Sequence, residues 1–395
     1  MDAMRYIPRT LEERIRHALK RGKSVLLLGA RQTGKTTLIS RFAHDLVVSF
    51  VHPDVRQRYE KSPHLLKGEV EALAVKEAGR RPLVILDEVQ KVPLILDVVQ
   101  DLIDKERADF ILTGSSARKL RRGAQVNLLP GRVAAFRLDP FSLGEFPAKN
   151  LEERLMYGSL PGILSVEEAQ DRETDLESYV TVYLEEEVRA EAVVRNLGHF
   201  ARFLELAASE SGGIVNLRKL SQEIGVSHTT IGAYYQILED CLIIERVEPL
   251  VRSKTRKKLT KSEKYLFFDL GVRRLAAREG PKPSRDALGR IFEQFIGLEL
   301  LRLSHVSGHG LKIRFWRDPD GPEVDWVIDR DGVYTPIEVK LTDNPVISDT
   351  RHLEVFLSEY KSARFGFLVC QVPRKVKLSE RVFALPWQAI GEIAA

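Results

Sequence analysis

VLLLGARQTGKTTLI, Val25 to Ile39, decides how the N-terminal part of this chain folds. It opens as an apolar run of strand length, passes through a loop bearing two glycines, and continues with Leu38, Ile39 and Phe42 at helical spacing. The order strand, loop, helix is the setting in which the pattern Gly29-x-x-x-x-Gly34-Lys35-Thr36 has a physical meaning. Glycine lets the backbone curl until successive N–H groups point at one phosphate, the lysine ammonium reaches the outer oxygens, and the Thr36 hydroxyl ligates Mg²⁺. Gly29, Arg31, Gln32, Thr33, Gly34, Lys35, Thr36 and Thr37 are therefore expected to cradle the phosphates of ATP.

Further along, LVILDE, Leu83 to Glu88, is a continuous apolar run ending in two acids. A buried parallel strand reads this way when it delivers carboxylates to the C-terminal edge of a sheet. Asp87 is expected to hold the Mg²⁺ water shell, and Glu88 to orient and deprotonate an attacking water. A third strand, Phe110–Leu112, ends in Thr113-Gly114-Ser115-Ser116. Thr113 and Ser115 suit sensing of a terminal phosphate, although the serines suit a helix N-cap equally. In LLPGRV, Arg132 follows a Pro-Gly turn. There it reads either as a surface arginine or as one that stabilises transition-state charge on a neighbouring subunit's nucleotide. Upstream, Thr10 and Glu13 have capping-box spacing ahead of a helix through Leu11, Ile15, Ala18 and Leu19, stopped by Gly22.

With 395 residues the chain exceeds what one core holds, so two or three domains are expected. A hydrophobic fraction of 44% and a charged fraction of 30% exclude global disorder. Net charge is only +5, so where the cations sit matters more than their total. Cys241 and Cys370 are far apart in apolar stretches, without a CxxC pair, as befits inert thiols of a reducing cytoplasm. No apolar run approaches the ~18–20 residues of a membrane span, and the charged N-terminus lacks a signal-peptide core, so a cytoplasmic protein without a membrane partner is expected.

GARQTGKTT, LVILDEVQ, LTGSSARKL, LPGR and FSLGEF together resemble the AAA-type ATPase domain of a widespread archaeal and bacterial group. In that group the ATPase carries a C-terminal domain of unknown function that combines a winged helix with a restriction-endonuclease-like fold. The similarity extends through YGSLPGIL and SYVTVYLEEEV and covers nearly the whole chain. It implies ATP hydrolysis by a homo-oligomeric ring or partial ring, with Arg132 as the inter-subunit finger, and action on DNA.

The middle of the chain adds a DNA-binding expectation of its own. VNLRKLSQEIGVSHTTIGAYYQILEDCLII has the rhythm of a helix-turn-helix: Leu217, Leu220 and Ile224 line one helix, Gly225 turns the chain, and Ile231, Tyr235 and Leu238 face inward from a second. Ser227, His228 and Thr229 at the start of the second helix suit phosphate and base-edge contacts. From Arg252 to Lys264 there are seven Lys or Arg and one acid, Glu263. Arg252, Lys254, Arg256, Lys257, Lys258 and Lys261 read as a basic wing that attracts a polyanion through counterion release.

After the break at GPKPS, a helix from about Arg285 to Ser304 places Glu293 beside Gly289, Ile296, Gly297 and Leu300. In EVDWVIDRDGVYTPIEVK, an Asp331-Gly332 turn of type I′ sets Arg330 opposite Val333 and so brings Asp325 across from Glu338, with Lys340 on the same face as Glu338. Like charges ~5 Å apart call for a cation between them. The residues match the PD-(D/E)xK nuclease pattern, with Val324 in place of the leading proline. That resemblance implies Mg²⁺ on Asp325, Glu338 and Glu293, water activated near Lys340, and phosphodiester cleavage. The expected architecture is α/β: a P-loop AAA+ core over 1–150, a helical lid or connector over 151–195, a winged helix-turn-helix over 196–280 and a restriction-endonuclease-like domain over 281–395. An oligomeric motor or helicase on branched or damaged DNA fits these parts, and a nucleotide-switched regulator of a nuclease or protein partner is the alternative.

Overall fold

A computed structural model describes residues 6–76, 80–116, 131–184, 197–251, 259–308, 310–319 and 321–394. The chain divides into two compact units, Met1–Pro140 with Glu186–Val193 and Ile237–Ile243, and Phe141–Glu185 with Val194–Gln236 and Ile244–Ala395.

In the first unit five strands form one parallel sheet: β1 (Ser24–Leu28), β2 (Leu46–Ser49), β3 (Leu83–Asp87), β4 (Asp109–Gly114) and β5 (Val133–Arg137), in the order β2-β3-β4-β1-β5. Period-two alternation divides the strand residues between two cores. Val25, Leu27, Ile85 and Ile111 pack with Leu11 and Ile15 of helix α1 (Leu11–Lys20) and with Leu38 and Ile39 of helix α2 (Lys35–Ile39). Leu26, Leu86 and Leu112 face the other way, against Ile95, Val99 and Leu102 of helix α3 (Ile95–Asp104). The capping box expected at Thr10 does not form. Thr10 is itself helical at φ −53°, its side chain makes no cap hydrogen bond, and the Glu12 N–H goes to the Arg9 carbonyl at 2.9 Å. Because β4 lies between β1 and β3, Thr113 at the end of β4 is delivered next to the acids of β3.

The second unit contains most of the helix-turn-helix segment, up to Gln236. Helix α4 (Leu197–Ser209) precedes α5 (Leu217–Ile224), which is capped by the Asn216 side chain and ended by Gly225 at φ 79°. Ser227 then starts α6 (His228–Asp240), its Oγ accepting the Thr230 N–H at 3.1 Å. Phe200 of α4 meets Tyr234 edge-on and Phe203 meets it tilted, and Tyr235 stacks on Tyr265 at 4.3 Å. The hairpin of β6 (Ile244–Pro249) and β7 (Lys264–Phe267) follows, and Ile214 forms an isolated bridge to Lys264.

That hairpin does not end the module. Glu248 and Pro249 of β6 pair in parallel with Arg314 and Phe315 of β8 (Leu311–Arg317), which continues into β9 (Glu323–Arg330), β10 (Val333–Val339), β11 (Gly366–Cys370), β12 (Val376–Lys377) and β13 (Val382–Pro386). The result is one eight-stranded sheet, β12-β13-β11-β10-β9-β8-β6-β7, that runs across the 280/281 boundary expected from the sequence. Helix α7 (Arg285–Ser307) packs Phe292, Phe295 and Ile296 on Trp326, Ile328 and Ile337. Helix α8 (Arg351–Glu359) covers the other face, with Leu353, Phe356 and Leu357 against Trp316, Val324 and Val327. Val247 of β6 and Leu266 of β7 belong to the α7 core, so the hairpin shares its hydrophobic interior with the sheet beyond it. No helix among the described residues is long and apolar enough to cross a membrane.

Candidate functional site

The loop between β1 and α2 carries the residues of the motif. Gly34 takes φ 93° and Gln32 φ 62°, the left-handed backbone that curls the loop. A Cβ on Gly29 would lie 2.5 Å from the Leu138 carbonyl oxygen, so only glycine fits there. The Lys35 side chain is buried, its Nζ donating to the carbonyls of Gly29 at 2.9 Å and Ala30 at 3.1 Å and standing 3.7 Å from Glu88 Oε1. Thr36 and Thr37 are exposed, Arg31 is half-buried, and Thr33 turns its hydroxyl inward to the Ala30 carbonyl at 2.9 Å. Thr33 thus holds the loop's shape. Arg9, buried at 6% exposure, braces the same loop by donating to the Thr33 carbonyl at 2.8 Å.

Across from this loop, Asp87 and Glu88 are held by neighbouring side chains. Thr113 Oγ1 donates to Asp87 Oδ1 at 2.5 Å and accepts the Glu88 N–H at 3.0 Å. Ser49 donates to Asp87 Oδ2 at 3.2 Å, and Ser115 to Glu88 Oε2 at 3.0 Å. Gln90 Nε2 donates to the same Glu88 oxygen and to Ser115 Oγ. Thr113, expected to sense phosphate, spends its hydroxyl on tying the two acids together. The set of one buried ammonium, one exposed hydroxyl and two braced carboxylates at one sheet edge fits a magnesium–triphosphate. Thr36 and Asp87 are the residues that would hold the ion.

Arg132 lies elsewhere. Val133 pairs with Ser24, at the start of β1, whereas the loop follows Leu28 at its end, about 13 Å away at the strand rise per residue. Arg132 Nη2 donates to Asp104 Oδ2 at 3.0 Å, both side chains being partly exposed. It therefore sits at the sheet edge opposite its own chain's nucleotide loop. Ser227, His228, Thr229 and Lys261 are exposed. Arg252, Lys254, Arg256, Lys257 and Lys258 lie outside the described residues.

The second cluster is built on β9, β10 and α7. The turn residues Asp331 and Gly332 have φ 52° and 87°, as a type I′ turn needs, and the ladder runs from Arg330–Val333 to Trp326–Ile337. Asp325 and Glu338 are the next residues along it. Between Arg314–Val327 and Trp316–Val324 the β8–β9 register slips, so Asp325 and Trp326 together lie across from Phe315. Such a bulge re-aims side chains, and Asp325 Oδ2 accepts the Val339 N–H at 2.8 Å. Burial pushes the Asp325 carboxyl well above the usual range, helped by Glu293 and Glu338. Burial likewise raises Glu338 to about 7, against the pull of Lys340, whose Nζ lies 3.0 Å from Glu338 Oε1. Glu338 is 4% exposed, and its Oε2 has no hydrogen-bond partner among the described residues. An orphaned carboxylate oxygen beside a second raised carboxyl fits a divalent cation held by Asp325 and Glu338.

Glu293, expected as a third ligand, is engaged differently: its Oε1 lies 2.9 Å from Lys264 Nζ. Lys264 closes the basic run but was not expected at this centre, because its partner comes from a helix 29 positions further along. Gln90 and Arg9 were also missed. Gln90 stands within the quoted LVILDEVQ, and its place two residues after Glu88 was the available signal.

Three family descriptions match the chain in succession: AAA domain over residues 21–147, Domain of unknown function (DUF8612) over 148–282 and Domain of unknown function (DUF4143) over 288–390. The N-terminal part is AAA-type and ATPase-like. The residues that follow it match two descriptions of unknown function. An uncharacterized protein of Mycobacterium tuberculosis (Rv2008c) is 26% identical over 386 residues, covering 94% of this chain and 82% of that one. An uncharacterized protein of Methanocaldococcus jannaschii (MJ1637) is 23% identical over 351 residues, 76% of this chain and 73% of that one. The crystal structure of protein VC1899 from Vibrio cholerae is 12% identical with a TM-score of 0.21, covering 94% of this chain and 96% of that one, a likeness too small to carry a structural argument.

Proposed function

We propose that this protein hydrolyses ATP with Mg²⁺ at Lys35, Thr36, Asp87 and Glu88, and that turnover acts on DNA gripped by the exposed start of α6 and the basic segment before β7. The observation that carries the hydrolytic reading is Glu88, fixed between Ser115, Gln90 and Lys35 at the mouth of the loop. A water oriented there loses a proton to the Glu88 carboxylate as its oxygen bonds to the terminal phosphorus. The bond from that phosphorus to the bridging oxygen breaks, and ADP and phosphate leave. Lys35 exchanges its two carbonyl partners for phosphate oxygens. Bound Mg²⁺ supplies charge neutralisation. Arg132, at the opposite sheet edge from its own loop, would serve a neighbour's nucleotide in a homo-oligomeric ring. Branched or damaged DNA is the substrate class that suits a motor of this type.

A second reading is favoured by the continuous sheet. The β6–β7 hairpin and the Asp325–Glu338 centre share one core, so DNA held by the hairpin is presented to a nuclease-like site without an intervening hinge. ATP turnover would then switch cutting on and off, with Lys340 beside the attacked phosphodiester. The deciding experiment measures phosphate release with single-stranded, duplex, forked and four-way DNA, alongside strand separation. A motor accelerates strongly with forked or four-way DNA and separates strands, whereas a switch turns over slowly and indifferently. Glu88→Gln is expected to bind ATP and lose turnover at least about a hundredfold. Intact turnover in that variant removes the catalytic assignment.

A further inference from the structure

We propose that Lys264 is a resident cation of the acidic centre, holding Glu293 so that the centre takes a single divalent ion, on Asp325 and Glu338. The inference rests on the metal reading given above. Two ammonium groups meet the acids here: Lys340 lies 3.0 Å from Glu338 Oε1, and Lys264, from the hairpin, lies against Glu293. Lys264 is 9% exposed, with its Nζ 2.9 Å from Glu293 Oε1 and 5.2 and 5.0 Å from the ring centres of Phe315 and Trp326. A cation against two aromatic faces and one carboxylate is well satisfied, and withdrawing it would leave the Glu293 charge without its partner.

Its backbone is held on two sides. Lys264 pairs with Val247 of β6 and bridges to Ile214, which fixes the side chain's point of origin. Glu293 is held as firmly, since its own carbonyl accepts the Trp326 indole N–H at 3.1 Å. Free coordinating capacity remains on two other side chains. Glu338 Oε2 is orphaned, and Gln294, 4% exposed, lines the same cavity of about 180 Å³ as Lys264, Glu293 and Asp325, its Oε1 also without a partner among the described residues. A second divalent ion on Glu293 would have to displace Lys264 or lie against its ammonium, and like charges at such separations repel strongly. The centre therefore combines one exchangeable ion with two built-in ammonium groups, Lys340 beside the ion's own ligand Glu338 and Lys264 on Glu293, and Lys264 lines the cavity with Asp325.

The test is Mn²⁺ binding to nucleotide-free full-length protein carrying Asp87→Asn, which keeps the nucleotide site from taking up the ion, read by electron paramagnetic resonance of free Mn²⁺. One ion per chain is expected. Asp325→Asn and Glu338→Gln should each weaken it about tenfold or more, and Glu293→Gln by less than about threefold. Lys264→Met, which keeps the stem against the rings, should tighten Mn²⁺ about tenfold or admit a second ion, and Lys264→Arg should behave as the parent. Should Lys264→Met not fold cooperatively, the contrast between Glu293→Gln and Asp325→Asn decides. Equal loss in those two variants, or two ions in the parent, overturns the inference while leaving the metal reading intact. No Mn²⁺ uptake by the parent and by Lys264→Met overturns both.

Discussion

Thr113 shows how one hydroxyl organises the proposed hydrolytic site. It donates to Asp87 and accepts from the Glu88 N–H, so it fixes the spacing of two acids whose roles differ. Thr113→Val keeps the shape, removes both bonds and should lower ATP turnover about tenfold to a hundredfold with little change in KM, since a buried group left unsatisfied costs about 1–3 kcal/mol. Steady-state phosphate release checks this. Glu338 carries a pH signature. Its carboxyl is raised from 4.5 to about 7, so the folded chain holds that proton more tightly than the unfolded chain does. Its contribution to stability is complete below the unfolded value and is lost as pH rises through about 7. The thermal midpoint of the metal-free protein should fall between about pH 5 and about pH 8, and Glu338→Gln should flatten that fall. At this scale Lys35, Asp87, Glu88, Asp325 and Glu338 were legible, because each belongs to a local pattern of strand, turn or loop. Lys264 was not, because an isolated lysine in a basic run gives no sign of a partner on a distant helix.

Helix α7 and strand β9 meet at a glycine. A Cβ on Gly297 would lie 2.4 Å from Trp326 Cζ2, and this close approach lets the Trp326 indole reach the Glu293 carbonyl. Gly297→Ala should therefore push the helix off the strand and destabilise the protein by about 1–3 kcal/mol, read from urea denaturation. Mn²⁺ uptake should weaken along with it, because the strand that carries Trp326 also carries Asp325. The hairpin register could be derived from the Asp331-Gly332 turn, whose positive φ values leave one favoured pairing. The bulge at Asp325 and Trp326 could not, since it arises where β9 meets β8, a strand separated from it by an irregular connection. The capping box at Thr10 was a local signal overridden: the chain enters α1 already helical, and the Arg9 carbonyl takes the N–H of Glu12.

Across the second unit, the continuous sheet has a mechanical consequence. Residues 281–395 alone would expose the β8 edge that β6 covers and lose Val247, Leu266 and Leu270 from the core around α7. A fragment of those residues should show no cooperative thermal transition by circular dichroism, whereas the full chain should. A sharp transition in the fragment would mean that residues 281–395 are an independent domain.

By itself the sequence determined the chemistry available at each short motif: a curled phosphate loop after a strand, two acids ending a buried strand, a turn that sets one hairpin in register. These are decided within a few residues, where backbone preference and side-chain period act directly. Only the tertiary structure decided which cation faces which acid, that Arg132 lies at the far edge from its own loop, and that the hairpin after the helix-turn-helix continues into the acidic sheet. Those facts depend on strand order and on edges paired across long separations, and hydrogen bonds between distant strands leave no periodic trace in the sequence.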